Sequence, residues 1–268
     1  MLPSLVAAAL GPVVAAVVWR AGLLTTGGAC AAAVLGSIAA LAGVDWMALL
    51  LAFFLSSVVL GKIGRISKQQ RSGAVIEKSG PRDAVQVLAN GLVFGVGAAI
   101  AARGHTAGAV PAIALGALAA ATADTWGTEI GMLSRAAPHS IVTWAKLEPG
   151  MSGGVSALGL AATAVGAATL ATLAWLLAWP GGTAIAAAIG GISGAMADSL
   201  LGATLQQRRR SLRTGRMTER ITDVDGTPTE LAGGVAWLTN DGVNFAATMI
   251  GAGTAFKVQS LLAAAGRT

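Results

Sequence analysis

The sequence predicts an all-α fold, a polytopic membrane helical bundle of about eight transmembrane helices. Mean hydropathy is +0.71. Apolar residues make up 54% of the chain and charged residues 11%, where a soluble domain carries about a quarter charged. The apolar residues also run in continuous stretches of membrane-crossing length instead of alternating, which suits helices and not a barrel. The 268 residues are expected to form a single integral-membrane domain, and the 37 glycines, with abundant alanine, suit backbones in close approach.

The stretches fall at 3–19, 22–43, 45–61, 84–102, 108–131, 153–178, 181–205 and 238–257. The first carries Gly11-Pro12, where a helix is prone to kink. It has no Lys or Arg before it, which argues against a cleaved secretory leader. The second holds Cys30, the single cysteine, expected to be a small packed hydrophobe. The third ends at a polar loop, 62–83. The fourth opens with Arg82, Asp83, Gln86 and Asn90, the last three sharing one helix face at i, i+3 and i+7. The fifth ends in Asp124 and Glu129 and is followed by loop 132–152. The sixth opens with the glycine-rich run Pro149–Val155, and the seventh ends with Asp198, followed by loop 206–237. The eighth opens with Asn240, Asp241 and Asn244.

An even number of stretches separates successive polar loops, so all three loops fall on one side. That side, with Arg20, holds every Lys and Arg except Arg103, Lys257 and Arg267. The positive-inside rule makes it cytoplasmic and explains most of the +6 net charge without nucleic acid. Arg208–Arg220 reads first as a topology signal or lipid-headgroup contact, with nucleotide binding as the sharper alternative.

The topology gathers the polar groups at one depth. A charged side chain at a membrane centre costs roughly 3 kcal/mol, so Asp124, Glu129 and Asp198 are expected to serve a purpose. Ala121-Thr122-Ala123-Asp124-Thr125 is echoed by Ala195-Met196-Ala197-Asp198-Ser199, 74 residues later, as if two helix pairs repeat in parallel. Asp124 and Glu129 are five apart, so an ideal helix aims them about 140° from each other. They converge on one ion only if the helix is distorted near Gly127. Asp198, Gly202 and Gln206 share a face, with a glycine gap that would admit a ligand. Ser152, Gly153 and Gly154 offer backbone amides to an anion.

Carboxylates and amides beside a glycine-rich start and basic residues are the parts of a Mg²⁺–phosphate site. Asp124, Glu129, Asp198 and Asp241 are the candidate metal ligands, with Asp124, Glu129 and Asp198 as candidate catalytic groups. Glu129 is either a ligand or the group that orients the attacking phosphate. Candidate phosphate and substrate contacts are Arg82, Asp83, Gln86, Asn90, Thr128 and Lys146, the Ser152–Gly154 amides, and Ser199, Gln206, Asn240 and Asn244. Each has a bland alternative: ion pairing for the acids, helix capping for Asn240, Asp241 and Asn244, interhelical bonding for Asp83, Gln86 and Asn90, and close packing for the glycines. Asp223-Val224-Asp225-Gly226-Thr227 has the form of a phosphatase nucleophile motif but lacks an α/β domain around it, and reads as an acidic turn. The tryptophans read as interface belt or packing residues. No Walker loop, dinucleotide fingerprint or zinc signature is present.

At five ordered blocks, Gln86–Gly91, Ala123–Gly131, Pro149–Val155, Asp198–Gln206 and Asn240–Asn244, the chain resembles the DUF92 (TMEM19-like) family of membrane proteins. The resemblance spans about Lys62 to Phe256. That family includes a plant phytyl-phosphate kinase, so the resemblance implies a membrane kinase that phosphorylates an isoprenoid monophosphate with a nucleoside triphosphate, CTP or ATP, and Mg²⁺. The expected partners are membrane lipids, the isoprenoid phosphate and the nucleotide, with the site facing the cytoplasm. The rival expectation is a cation- or proton-coupled transporter or lipid translocase that uses the same carboxylates. A cytidylyltransferase-like lipid enzyme, releasing pyrophosphate, is a third.

Overall fold

A computed structural model describes residues 4–78, 80–105 and 108–266; Arg267, expected on the outer side, lies outside them. Eight long helices occupy the eight apolar stretches: α1 (Ser4–Arg20), α2 (Thr26–Ala42), α3 (Val44–Lys62), α5 (Ala84–Ala101), α6 (Val110–Gly131), α7 (Ala157–Leu176), α8 (Gly181–Thr204) and α9 (Asn240–Ala264). A short helix, α4 (Arg65–Ser72), sits in the first polar loop. Helices α3, α5, α7 and α8 are long and apolar enough to cross a membrane, and α1 and α2 are shorter apolar helices. α6 and α9 have 22 and 25 residues, with carboxylates near one end.

Local chemistry sets the helix starts. Thr25 caps α2 by accepting from the Gly28 N–H at 3.1 Å, and Ser156 caps α7 through the Gly159 N–H at 3.1 Å. Asp83 and Gln86 form a reciprocal capping box at the start of α5. α1 runs through Pro12, and a Cβ on Gly11 would come within 2.4 Å of the Ala33 carbonyl, so that pair marks a close α1–α2 crossing.

α6 is the axis of the molecule. It packs against α3, α5, α7, α8 and α9, and its residues from Ala114 to Ala123 are all buried. A helix apolar all round belongs in an interior. The other seven long helices each expose large apolar side chains, such as Val17, Val34, Leu55, Val96, Trp175, Ile185 and Met249. α6 exposes none among the described residues, so it is shielded while its neighbours present an apolar surface suited to lipid. Small residues make the approach possible: Gly116 of α6, Gly190 and Gly194 of α8 and Gly251 of α9 meet along one seam.

Away from the polar loops, Trp46 packs on Phe94 and Trp179, and Trp179 Nε1 donates to Asp45 Oδ2 at 2.6 Å. These two tryptophans are packing residues, whereas Trp19, Trp144, Trp175 and Trp237 are exposed. Cys30 is exposed on α2, contrary to the packed role expected of it.

The polar loops gather at one end and bond to one another, as their even spacing required. Thr218 Oγ1 donates to the Ala74 carbonyl at 2.9 Å, Arg71 Nη1 donates to the Ser134 carbonyl at 2.6 Å, and the Ser152 N–H donates to Glu219 Oε1 at 2.7 Å. The segment Leu23–Thr25 joins them through backbone bonds to Arg82. Loop 206–237 is not irregular. It folds into an antiparallel sheet of β3 (Arg208–Ser211), β4 (Met217–Thr218) and β5 (Thr229–Gly233) in the order β4-β3-β5, while β1 (His139–Ser140) pairs with β2 (Gly154–Val155). The acidic turn is as expected: Asp225 Oδ1 accepts from the Thr227 N–H at 3.0 Å and Gly226 has φ +87°.

Candidate active site

The ends of α3 and α5–α9 nearest the polar loops, with α4, line a polar cavity of about 560 Å³. Two of its lining groups are half-buried carboxyls. Asp124 on α6 and Asp198 on α8 lie in hydrogen-bond reach of each other, and Asp198 Oδ2 is buried without a partner. The echoed sequences put them there: α6 and α8 pack side by side, with Ala123 and Ala195 in one cluster with Ala167 of α7. Two bare carboxylates at this spacing repel strongly in a low-dielectric site, so the pair calls for a shared proton or a cation.

Glu129 does not join that pair. α6 continues past Gly127 as a helix to Gly131, and Gly127 is packed against Thr163 and Gly159 of α7. Without a distortion, the five-residue spacing turns Glu129 to α4, where its Oε2 accepts from Lys68 Nζ at 2.6 Å. Asp241 is likewise occupied, accepting from Lys78 Nζ at 2.6 Å. Both acids line the same cavity, but as ion-paired walls and not as third and fourth ligands to one ion. Among the described residues no three acidic, histidine or cysteine side chains cluster as a metal site.

Arg82, Gln86, Asn90, Thr128, Ser199, Asn240 and Asn244 line the cavity as expected. Three other expected contacts do not. Asp83 is held in the capping box and accepts from Lys78 Nζ at 2.8 Å. Lys146 is exposed beside the bridge to His139, and Gln206 is buried away from the cavity wall. The glycine gap after Asp198 is also filled, since a Cβ on Gly202 would meet the Gly153 nitrogen and Ser152 Cβ, each at 3.0 Å. Ser152, Gly153 and Gly154 border the cavity, yet two of their amides are spoken for. The Ser152 N–H donates to Glu219 and the Gly154 N–H to the Met151 carbonyl. Gly153 has φ +79° and its Cβ position is 2.5 Å from Ala203, so the tight approach of the loop before α7 to the end of α8 requires glycine there.

The arginines of 208–220 are largely structural. Arg208 donates to the Ala203 carbonyl, Arg209 to Thr229, Arg220 to the Ile76 carbonyl, and Arg213 pairs with Asp225.

The site has members that sequence reasoning passed over. Lys68 and Lys78 were hidden within a loop read as a topology signal. Glu219, 5% exposed, reaches in from the strand-rich loop to accept the Ser152 amide. Burial pushes its carboxyl above the ordinary glutamate value, against the lowering effect of that amide. Burial alone would depress the Lys78 ammonium, but bonds to Asp241 and Asp83 overcome it and hold it high.

A second, narrow slot of about 80 Å³ adjoins the polar cavity. It is walled by apolar residues of α1, α2, α3 and α5, including Val14, Leu35, Met47 and Phe54. Phe53, Arg82, Gln86 and Asn90 border both spaces. Arg82 Nη1 donates to Ser57 Oγ at 2.7 Å and its guanidinium lies 5.9 Å from the Phe54 ring centre, holding the charge at the junction.

The donor set fits Mg²⁺. The Asp124–Asp198 pair supplies hard oxygens, one without a partner, and Mg²⁺ commonly takes one or two carboxylates and completes its shell with water and phosphate oxygens.

The family model described as "Integral membrane protein DUF92" matches residues 9–252, beginning well before the motif blocks do. Protein PGR of Arabidopsis thaliana is 30% identical over 235 residues, covering 78% of this chain and 80% of that protein. An uncharacterized membrane protein of Methanocaldococcus jannaschii is 31% identical over 166 residues, covering 62% of this chain and 67% of that one. No solved structure matches the chain.

Proposed function

The chain belongs to the DUF92 family of integral membrane proteins, and from that premise we propose that it is a Mg²⁺-dependent kinase that converts an isoprenoid monophosphate to the diphosphate at the cytoplasmic face, with CTP or ATP as donor. The observation that carries the reading is the Asp124–Asp198 pair, with its unpartnered oxygen, in a polar cavity that opens onto an apolar slot. One compartment suits phosphates and the other suits a hydrocarbon tail.

In this reading the tail enters between α1, α2, α3 and α5, and Arg82, with Gln86 and Asn90, holds the acceptor phosphate at the junction. A phosphate monoester is already ionised near neutral pH, so no strong general base is needed. An acceptor oxygen attacks the γ-phosphorus while the bond to the β–γ bridging oxygen breaks, and the nucleoside diphosphate leaves with that electron pair. Asp124 and Asp198 would hold Mg²⁺, which supplies charge neutralisation on the phosphate oxygens. Ser199, Asn240 and Asn244 donate hydrogen bonds to phosphate, and the ion-paired Glu129 fixes Lys68 in the wall.

The transporter alternative has less support. It requires a passage to the outer side, and beyond the carboxyl pair α6 is buried from Ala114 to Ala123 against small residues of its neighbours. The deciding experiment supplies purified protein with phytyl or geranylgeranyl monophosphate, Mg²⁺ and each nucleotide. Diphosphate and nucleoside diphosphate should form in equal amounts, and Asp124→Asn or Asp198→Asn should cut turnover about 100-fold or more, the scale for losing charge stabilisation in the transition state. Turnover untouched by either change removes the roles given to the pair.

A further inference from the structure

The cavity has a wall that the reading above leaves without a purpose. α4 has eight residues, and Arg65, Lys68, Gln69 and Ser72 fall at i, i+3, i+4 and i+7 on one face. All four line the cavity, as do Arg71 and the preceding Lys62. The apolar residues look the other way, with Ile66 77% and Ile63 48% exposed. A basic helix serving only as a topology marker or headgroup contact would turn its charges to the membrane surface. Here they border the cavity, Lys68 buried, Arg71 half-buried, and Lys62 and Arg65 at its exposed rim.

The charge balance along this wall is uneven. Lys68 is neutralised by Glu129 and anchored on the Leu60 carbonyl at 2.8 Å. Lys62, Arg65 and Arg71 are in no ion pair among the described residues. Arg71 spends Nη1 on the Met132 and Ser134 carbonyls, which fixes its guanidinium plane while leaving other N–H groups to donate. The fixed guanidinium of Arg71, with the Arg65 guanidinium and the Lys62 ammonium on the cavity's exposed rim, matches the oxygens of a linear polyphosphate. The arginines of 208–220 do not line this cavity, and Arg208, Arg209, Arg213 and Arg220 are tied to carbonyls, Thr229 and Asp225.

The geometry points to the cavity face of α4, through Lys62, Arg65 and Arg71, as the binding site for the triphosphate chain of the phosphoryl donor. The assignment rests on the phosphoryl-transfer reading and adds to it which wall receives the donor. The shared ligand chemistry is a triphosphate, carried by a nucleoside or inorganic.

The test measures binding, separately from turnover. Full-length protein in nanodiscs is titrated with CTP, ATP and inorganic tripolyphosphate in the presence of Mg²⁺, without lipid substrate. Lys62→Gln with Arg65→Gln should weaken triphosphate binding about tenfold or more, as loss of charge-assisted bonds does. Arg213→Gln, in the distant exposed turn, should leave it unchanged, and thermal unfolding should show the double variant folded. Arg71→Lys, which keeps the charge but not the fork, gives a second arm and should weaken binding without unfolding the protein. Tighter binding of CTP or ATP than of tripolyphosphate identifies a nucleoside triphosphate as the ligand; equal binding identifies the phosphate chain alone as what is recognised, and both support the site. Wild-type affinity in the double variant overturns the assignment, as does the absence of triphosphate binding to wild type. Binding that depends on α4 in a protein that phosphorylates no prenyl phosphate would leave the site standing and sink the kinase reading.

Discussion

Asp198 has a buried oxygen with no partner beside a second carboxyl, and that arrangement sets the behaviour expected of single residues. Mn²⁺ in place of Mg²⁺ should bind wild type in the absence of nucleotide and be detectable by its electron spin resonance. Asp198→Asn should weaken that binding about tenfold or more, since half of the hard-oxygen pair is lost. Glu219 makes a different prediction. Its carboxyl is raised from an ordinary 4.5 because burial disfavours its charge. The folded protein therefore binds a proton that the unfolded chain has released, so this group's contribution to stability falls as pH rises from about 4.5 through the raised value. Thermal unfolding against pH should show a shallower decline for Glu219→Gln than for wild type. Parallel curves would mean that Glu219 is not the group responsible.

Helices, taken singly, are governed by caps and by glycine. A Cβ on Gly251 would lie 2.7 Å from Ala120 Cβ, 2.8 Å from the Gly116 carbonyl and 3.1 Å from the Gly190 carbonyl, so Gly251→Ala presses on two neighbouring helices at once, α6 and α8. It should cost about 1–3 kcal/mol, the range for overpacking. Gly253, two residues on, has nothing within 4 Å, and Gly253→Ala should be neutral or stabilise by up to about 1 kcal/mol through helix propensity. Thermal unfolding in detergent compares them directly. At the start of α5, Asp83→Ala should cost about 1 kcal/mol and Asp83→Asn much less, because asparagine also caps. Turnover should follow stability in both, which separates the capping role from the substrate contact expected from sequence.

Across the molecule, the polar loops, the cavity and the α4 wall share one end, and the reading places that end in the cytoplasm. With Cys30 replaced by Ser, a cysteine at Arg103 should react with a membrane-impermeant thiol reagent added to intact cells. A cysteine at the exposed Thr143 should react only after permeabilisation. The reverse pattern would turn the site outward. Much of this scale was legible in the sequence. The eight stretches became the eight long helices, and parity alone put the three loops together. Asp124, Asp198, Asn240 and Asn244 reached one cavity from helices far apart in the chain.

What the sequence determined by itself follows from solvent. Runs of apolar residues can satisfy their backbones in a bilayer only as helices. Charge bias predicts which way those helices point, and a carboxylate in an apolar stretch carries a cost that calls for a partner. Partner choice was decided only by the tertiary structure. The sequence could state that Asp124 and Glu129 point apart, but not that Lys68 waits for one while Asp198 faces the other. Nor could it show that Gly153 fills the gap at Gly202, or that thirty polar residues fold into a sheet that carries Glu219 inward. Those outcomes depend on which side chains meet across the packed helices, and contacts between residues distant in the chain leave no periodic signal along it.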